Sequence, residues 1–215
     1  MHCGDRTMNQ ESLFNESLPK QNEPELIQLS GGNLSFFSPF IDEYTARQLF
    51  QILLNELNWQ QPEIRIYGRY QRIPRLQVWM GDAANSYNYS GKLFEPTPWH
   101  NAVLTIKERV EILTSCAYNS VLINQYRDGQ DSVSWHSDDE PELDSDTPIA
   151  SVSLGTTRKF ELKPNDGIEA KQSIELKHNT LLVMSPDVQT HWKHQIPKQR
   201  QIKEPRINLT FRKIN

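Results

Sequence analysis

The stretch 124–140, NQYRDGQDSVSWHSDDE, contains two strand-like runs joined by a turn. Asp128-Gly129 marks the turn, since glycine tolerates the positive φ that tight turns require. The second run leads into His136 and Asp138, and side chains two residues apart on a strand point to the same face. An imidazole nitrogen and a carboxylate oxygen can therefore converge on one metal ion. The pair alone is a weak signal, because many proteins contain it by chance.

The end of the chain supplies a further candidate ligand and two cations. The motif Thr-His-Trp-Lys-His ends at His194, and the final strand-like run begins at Arg206 and ends at Arg212. These arginines are an even number of residues apart, so both fall on one face of a strand and the apolar residues between them on the other. Two histidines and one carboxylate on one face form the facial triad of non-haem Fe(II) oxygenases. Two buried arginines need anions, which a metal-bound dicarboxylate would give them.

The composition predicts a single domain with a substantial core and no membrane span. The chain has 215 residues, of which 36% are hydrophobic. It contains no apolar run near the roughly 18 residues that a membrane helix needs, and its first residues show no signal-peptide pattern. The two cysteines, Cys3 and Cys116, form no disulfide framework and suit a reducing compartment. We therefore expect a cytoplasmic protein, or a nuclear one in a eukaryote, that is not secreted.

The net charge of −4 argues mildly against a nucleic-acid partner, because phosphate contacts require lysine and arginine. The distribution of charge favours such a partner, since basic residues cluster in the stretches 65–75 and 193–213. Acidic residues concentrate between Asp128 and Asp146, where a bound cation would attract them. The alternative interpretation is that many of these charges only face solvent.

Alternating hydrophobicity from residue 120 onward predicts a β-rich second half. Eight short runs follow each other at the spacing typical of a sandwich or jelly roll: 120–126, 132–136, 148–154, 159–163, 173–177, 180–185, 189–194 and 205–213. Two helices are predicted before them, one over 42–57 with Asp42 as its N-cap and one from about 98 to 118. The second helix should turn four residues toward the core: Leu104, Val110, Leu113 and Cys116.

Five motifs make the chain resemble the AlkB-type Fe(II)/2-oxoglutarate-dependent dioxygenases, which demethylate nucleic acids. They are NQYRDG from Asn124, HSDDE from His136, PIASVSLG from Pro148, THWKH from Thr190 and PRINLTFR from Pro205. The motifs agree with the family in order and spacing, and the similarity runs from about Phe36 to Ile214. It is greatest to the branch of the family that acts on double-stranded DNA.

The resemblance implies a double-stranded β-helix, which agrees with the jelly roll that the strand pattern predicts. The expected fold class is mainly β with flanking helices (α+β), with an N-terminal nucleotide-recognition hairpin or lid. Residues 1–30 are predicted to be a loose extension with a first strand near Ile27, because they are polar and lack periodicity. Residues 31–215 are predicted to form one dioxygenase domain, with the helices and lid in 31–119 and the jelly-roll core in 120–215.

The resemblance also assigns the metal ligands and the cosubstrate contacts. His136, Asp138 and His194 would hold Fe(II) and form the catalytic centre. His191 is the rival of His194, but an odd spacing on a strand places it on the opposite face. We expect Arg206 to hold the distal carboxylate of 2-oxoglutarate. The full set of expected cosubstrate contacts is Asn124, Tyr126, Arg206, Thr210 and Arg212.

Aromatic and glycine-containing segments are candidate substrate contacts by the same resemblance. Tyr67, followed by Gly68 and Arg69, is the candidate wedge that fills the gap left by an unstacked base. The alternative interpretation of this hairpin is an ordinary amphipathic edge strand. Tyr87 is the candidate for stacking on a flipped base, with Tyr89 as its support.

Two acidic residues follow the metal pair toward the expected position of the base. The charges of Asp139 and Glu140 would favour a cationic methylated ring, such as 1-methyladenine or 3-methylcytosine. The alternative is that both carboxylates only solvate a loop.

The implied function is oxidative demethylation of N-alkylated bases in DNA, a direct-reversal repair. It would use Fe(II), O2 and 2-oxoglutarate and release succinate, CO2 and formaldehyde. We expect the protein to be a monomer and its partner to be alkylated DNA, with duplex favoured and RNA possible. We expect no membrane partner. One alternative is a related dioxygenase that acts on RNA or protein. Another is a jelly-roll binding protein with a non-oxidising metal, which would leave the Arg206 and Arg212 pair without an anion.

Overall fold

Two antiparallel sheets pack against each other in the computed structural model, which describes residues 23–66, 68–83, 87–89, 92–94 and 96–215. The strands are β1 (Glu25–Leu29), β2 (Gly32–Phe37), β3 (Glu63–Ile66), β4 (Arg69–Arg72), β5 (Leu76–Gly81), β6 (Tyr87–Tyr89), β7 (Lys92–Phe94), β8 (Ser120–Tyr126), β9 (Val133–His136), β10 (Ile149–Gly155), β11 (Arg158–Pro164), β12 (Gln172–Leu176), β13 (Thr180–Met184), β14 (Trp192–Ile196) and β15 (Arg206–Arg212). The helices are α1 (Glu43–Glu56), α2 (Asn101–Thr114) and α3 (Pro186–His191).

The eight strands β8 to β15 form the predicted jelly roll. The large sheet has the order β1-β2-β13-β10-β15-β8-β5, and the small sheet has the order β12-β11-β14-β9. Each sheet therefore takes four of the eight strands, and β1, β2 and β5 extend the large one. Two separate hairpins, β3–β4 and β6–β7, belong to the N-terminal half. The predicted fold class is confirmed.

Helix α1 begins where the sequence predicts, because Asp42 caps it. The Asp42 carboxylate accepts a hydrogen bond from the Thr45 backbone N–H at 2.9 Å, which satisfies one of the free donors of the first turn. Helix α2 is shorter than the predicted 98–118. Its N-cap is His100, and it ends at Thr114 before the C-cap Ser115, whose φ of 55° is left-handed.

The predicted core face of α2 is confirmed in part. Val110 is buried as predicted, and Leu113 and Cys116 pack against the core while remaining partly exposed. Leu104 is only partly buried, and the other buried residues of the helix are Ala102, Val103 and Ile106. Cys116 lies beyond the helix end.

The predicted strand at 189–194 is wrong in its first half. Residues 186–191 form α3, and strand β14 begins only at Trp192. Ser185 is followed by Pro186 at the first helical position and by Asp187 in the first turn, and both favour a helix start. The alternation from His191 onward masked this short helix.

Strand β1 is the first strand predicted near Ile27, but it shows that the segment 1–30 is not loose throughout as predicted. It pairs with β2 along its whole length, from Glu25 opposite Phe36 to Leu29 opposite Gly32. The chain therefore belongs to the large sheet from Glu25 onward. Within the described ranges, no helix has the length and apolar character needed to cross a membrane.

The large sheet is buried on both faces, and this positions the site. One core lies on the helix side and includes Leu53 and Val103 together with Ile207, Leu209 and Phe211 of β15. A second core lies between the two sheets and includes Tyr126, Phe160, Leu162 and Trp192. The other side chains of β15 are polar and line a cavity between the sheets. The predicted division of β15 into an apolar and an arginine face is what the structure shows.

Candidate active site

A cavity of about 500 Å³ opens between the two sheets. Strands of both sheets line it, and the loop before β5 and the hairpin strand β3 contribute Arg75 and Ile64. The cavity brings the predicted metal ligands and the predicted cosubstrate contacts together in one place: His136, Asp138, His194, Asn124, Tyr126, Arg206, Thr210 and Arg212. These eight residues come from four strands and one loop.

His136, Asp138 and His194 form a group that can hold a metal ion. Strands β9 and β14 pair with His136 opposite His194, and the loop after β9 carries Asp138 back toward both rings. The Asp138 Oδ1 atom is 3.8 Å from His136 Nε2, and its Oδ2 atom is 3.8 Å from His194 Nε2. All three candidate ligand atoms lie within 4.8 Å of one another. Such separations suit one ion bound at about 2.0–2.2 Å by each ligand.

The protonation states of the triad also suit a metal ion. Burial lowers the pKa of His194 to about 4, so this ring is neutral at pH 7, as a ligand must be. The His136 Nδ1 atom lies 2.8 Å from the Ser134 carbonyl, which can only accept, so Nδ1 carries the proton and Nε2 is free to bind a metal. Burial tends to raise the pKa of Asp138, but the charges of Arg212 and the two histidines outweigh it and lower this pKa.

Helix α3 holds the loop that carries Asp138. The Asp138 backbone N–H donates to Gln189 Oε1 at 3.0 Å, and both groups are buried. The Ser137 hydroxyl donates to the Trp192 carbonyl at 3.2 Å. The segments that carry Asp138 and His194 are thus joined directly. Sequence reasoning missed Gln189 because it assigned this position to a strand.

Replacing Gln189 by leucine should weaken metal binding while the fold survives. The variant leaves the buried Asp138 N–H without a partner, which costs about 1–3 kcal/mol of unfolding free energy. We expect the Kd for Mn(II), measured by calorimetry, to rise about 10- to 100-fold, as is usual when a group that orients a ligand is lost. Gln195→Leu is the control, because Gln195 bonds Glu161 rather than the metal-ligand loop. Equal Mn(II) affinity in both variants would contradict the prediction.

Arg206 is a buried cation with unused donors. Arg206 is 1% exposed, and its Nη2 atom donates to Ser153 Oγ at 2.9 Å. Its Nε and Nη1 atoms have no hydrogen-bond partner among the described residues. Burial lowers the pKa of Arg206 to about 10, so the group is still charged at pH 7. A buried cation with two free donors is a site for an anion.

The remaining predicted cosubstrate residues form a polar surface beside Arg206. Asn124 Oδ1 accepts from Arg75 Nε at 2.9 Å, and the Thr210 hydroxyl donates to Asn208 Oδ1 at 3.1 Å. Asn208 in turn donates to Ser151 Oγ at 2.8 Å. We did not single out Asn208, although its even spacing from Arg206 in β15 places it on the same face.

Arg212 contacts the metal-ligand carboxylate directly. Its Nη2 atom donates to Asp138 Oδ1 at 2.5 Å, while its Nε atom has no partner within the described part of the chain. The two arginines of β15 therefore differ. Arg212 bonds the carboxylate of the triad, whereas Arg206 is more deeply buried and keeps Nε and Nη1 without a partner among the described residues.

His194, and not its rival His191, lies in the group with His136 and Asp138, and the reason that we gave for excluding His191 was wrong. His191 is the last residue of α3 and not a strand residue on the opposite face. Its ring packs so closely on Gly31 that a Cβ added there would lie 2.5 Å from it. The ring is therefore held against the β1–β2 turn and away from the triad.

The predicted substrate residues are placed only in part. Tyr67 lies outside the described residues, and so do the side chains of Tyr87 and Tyr89, whose backbone forms β6. Gly68 has a φ of 79° in the β3–β4 turn, and Arg69 after it is exposed. This hairpin borders the cavity, because Ile64 of β3 lines it.

The two predicted acidic residues occupy different positions. Glu140 lines the main cavity beside the triad. Asp139 does not, and it lines only a second cavity of about 340 Å³, which Asp138 and Glu140 also line. Both residues are exposed.

Comparison with known proteins identifies the family. Residues 33–212 match the 2OG-Fe(II) oxygenase superfamily. Human alkB homolog 3, an alpha-ketoglutarate-dependent dioxygenase, is 40% identical over 237 residues, covering 99% of this chain and 80% of that protein. The human DNA oxidative demethylase ALKBH2 is 37% identical over 179 residues, covering 79% of this chain and 69% of that protein.

A solved structure, "The structure of OsALKBH1", has the same fold. It matches with a TM-score of 0.59 at 14% identity and covers 88% of this chain and 100% of that one. The jelly roll with its triad and the sequence relatives lead to one conclusion. The chain belongs to the AlkB homologues of the 2OG-Fe(II) oxygenase superfamily and is an Fe(II)- and 2-oxoglutarate-dependent dioxygenase.

Proposed function

We propose that this dioxygenase removes N-methyl groups from bases of the 1-methyladenine and 3-methylcytosine type in DNA, as a direct-reversal repair enzyme. The proposal is carried by one observation: the triad and the unpaired buried Arg206 share a cavity that the β3–β4 hairpin borders. The similarity to proteins named DNA oxidative demethylase supports DNA as the substrate. We propose the predicted range 31–215 as the dioxygenase domain, extended at its start to include β1 from Glu25, which pairs with β2.

The residues of the cavity fit the iron and the cosubstrate of the family. His136, Asp138 and His194 would hold Fe(II), since two imidazoles and a carboxylate converge there. With O2 and 2-oxoglutarate, the iron supplies the oxidation of an N-methyl C–H bond, with release of succinate, CO2 and formaldehyde. The protein contributes geometry, because it must hold the methyl group beside the metal.

The cosubstrate would lie with its two carboxylates toward the two arginines. Arg206 would hold the distal carboxylate through Nε and Nη1, the donors that are otherwise unused. Arg212 would stabilise the end near the metal while it orients Asp138. Asn124, Tyr126 and Thr210 would add hydrogen bonds from the same cavity wall.

The substrate base would enter from the side of the β3–β4 hairpin. Tyr67 would fill the gap that the base leaves in the duplex, with Gly68 allowing the tight turn and Arg69 free to contact a phosphate.

Tyr87, supported by Tyr89, would stack on the flipped base. Glu140 in the cavity wall would favour a cationic methylated ring through charge attraction, and Asp139, which lines only the second cavity, would add to it from a longer distance.

The test is formaldehyde release from an oligonucleotide that carries one 1-methyladenine, with Fe(II), 2-oxoglutarate and ascorbate. We expect release from paired and unpaired strands by the wild type and none by Asp138→Ala. Succinate without formaldehyde on either strand would keep the oxygenase and redirect the substrate to RNA or protein. A wild type that forms no succinate would overturn the reaction itself.

The wedge role of Tyr67 predicts a strand-specific defect. Tyr67→Ala should lower kcat/KM on paired 1-methyladenine about tenfold and change the unpaired reaction less than twofold, because unstacking costs a few kcal/mol only in a duplex. Tyr70→Ala is the matched control, since Tyr70 is on the same hairpin and 71% exposed. Equal loss on both strands would indicate an ordinary edge strand instead.

A further inference from the structure

Arg158, the first residue of β11, is a second buried cation close to the cosubstrate site. It is 0% exposed, and its guanidinium carbon lies 5.3 Å from the centre of the Tyr126 ring. The guanidinium carbon of Arg206 lies 5.2 Å from the same ring centre. The two cations are therefore at most the sum of these distances apart, about 10.5 Å.

Neutral groups hold the Arg158 side chain. Its Nη2 atom donates to the carbonyls of Asp131 and Pro197, both at 2.8 Å, and its Nη1 atom donates to the Asp128 carbonyl at 3.1 Å. Its Nε atom donates to Gln199 Oε1 at 3.3 Å. All three guanidinium nitrogens therefore donate, and they join the loop after β8 to the loop after β14.

The charge of Arg158 lacks a direct counterion. Within the described part of the chain, no carboxylate oxygen lies within 4.0 Å of the guanidinium of Arg158 or Arg206. Asp131 and Asp128 attract the Arg158 charge only from a longer distance, and the Asp131 carboxylate is paired with Arg127 at 2.7 Å. Arginine stays protonated even when buried, so both charges persist. A neutral side chain could also donate to backbone carbonyls, so these hydrogen bonds alone do not explain why an arginine stands here. A buried cation without a direct ion pair is costly, and an anion that binds nearby lowers this cost.

We propose that Arg158 is a positioning residue for the cosubstrate, whose buried charge favours a 2-oxo acid with a second carboxylate. It holds the Tyr126 ring against Arg206 and adds positive potential where that carboxylate binds. At this separation and low effective dielectric, charge interactions are still substantial, because they fall only as the inverse of distance. The inference rests on the proposed cosubstrate site.

The test compares 2-oxoglutarate with 2-oxopentanoate, which lacks the distal carboxylate. Calorimetry with Mn(II) in the metal site gives a Kd for each acid, and the ratio of the two measures the preference for a dicarboxylate. In Arg158→Gln we expect this preference to fall about tenfold through weaker 2-oxoglutarate binding. The Kd for 2-oxopentanoate should change less than threefold.

Two further variants separate charge from structure. Arg158→Lys keeps the charge but not the fork, so it should retain the preference. Lys159→Gln removes a charge from the next residue, which is exposed, and should behave as the wild type. Weaker binding of both acids by the same factor in Arg158→Gln would show a structural role only and overturn the proposal.

The design also covers a variant that does not fold. If Arg158→Gln unfolds, Arg158→Lys decides the question. A lysine variant that loses the preference for 2-oxoglutarate although its charge is retained would overturn the proposal. A lysine variant that keeps the preference although the fork is lost would support it. A wild type that binds both acids equally would overturn the proposed cosubstrate site, and this inference with it.

Discussion

Replacing Arg206 by methionine is expected to abolish useful 2-oxoglutarate binding while leaving the empty protein as stable as the wild type or more so. Removing one partner of a buried charge pair costs about 2–5 kcal/mol, which corresponds to a Kd increase on the order of 30- to several-thousand-fold. Without the cosubstrate, however, Arg206 is a buried cation with two unpaired donors. Methionine fills similar volume without that penalty.

Two measurements on the same variant check this trade-off. Calorimetry with Mn(II) gives the Kd for 2-oxoglutarate, and thermal denaturation without 2-oxoglutarate gives the stability of the fold. Arg47→Met is the control, because Arg47 pairs with Glu43 on the exposed face of α1 and should change neither value. If the Arg206 variant binds 2-oxoglutarate within threefold of the wild type, the distal carboxylate lies elsewhere. A large drop in melting temperature would show that Arg206 is structural.

The strand pattern was sufficient to predict a sandwich or jelly roll and one wall of the candidate site, and the family resemblance selected the jelly roll. Alternation places Arg206 and Arg212 on one face of β15 regardless of what surrounds the strand, so a period of two is enough. The same rule reaches Asn124 and Tyr126 on β8, which pairs with β15 along its length. The predicted range 120–126 coincides with β8 for the same reason.

The local sequence pattern could not predict Gln189 and Arg158, which make long-range hydrogen bonds around the site. Gln189 reaches Asp138 across 51 positions of sequence, and Arg158 reaches the Pro197 carbonyl across 39. Such contacts depend on how the two sheets are placed, which no window of neighbouring residues records. Helix α3 shows the same limit, because six residues are too few for a helical period to stand out beside the alternation of β14.

The second large effect is expected from Asp138→Asn, which keeps the shape of the side chain and removes its charge. The metal site would lose its only negative ligand, so the Kd for Mn(II) should rise at least about 100-fold and demethylation should fall below detection. The variant also breaks the pair with Arg212, whose Nη2 is 2.5 Å from Asp138 Oδ1. We expect the metal-free fold to lose about 1–3 kcal/mol at pH 7, since Arg212 keeps partial access to water.

The pH dependence of that loss separates charge from shape. The pKa of Asp138 is lower in the folded protein than in the unfolded chain, where it is about 3.9. The carboxylate therefore stabilises the fold fully above the unfolded pKa. This stabilisation is lost as the pH falls toward the lower pKa of the folded protein. The difference in unfolding free energy between wild type and Asp138→Asn, measured in urea without metal, should be equal at pH 7 and pH 6 and shrink below about pH 4. Asp144→Asn is the control, because Asp144 pairs with Lys213 at the surface and lies outside the triad. A difference that stays constant down to pH 3 would mean that the asparagine perturbs packing rather than charge.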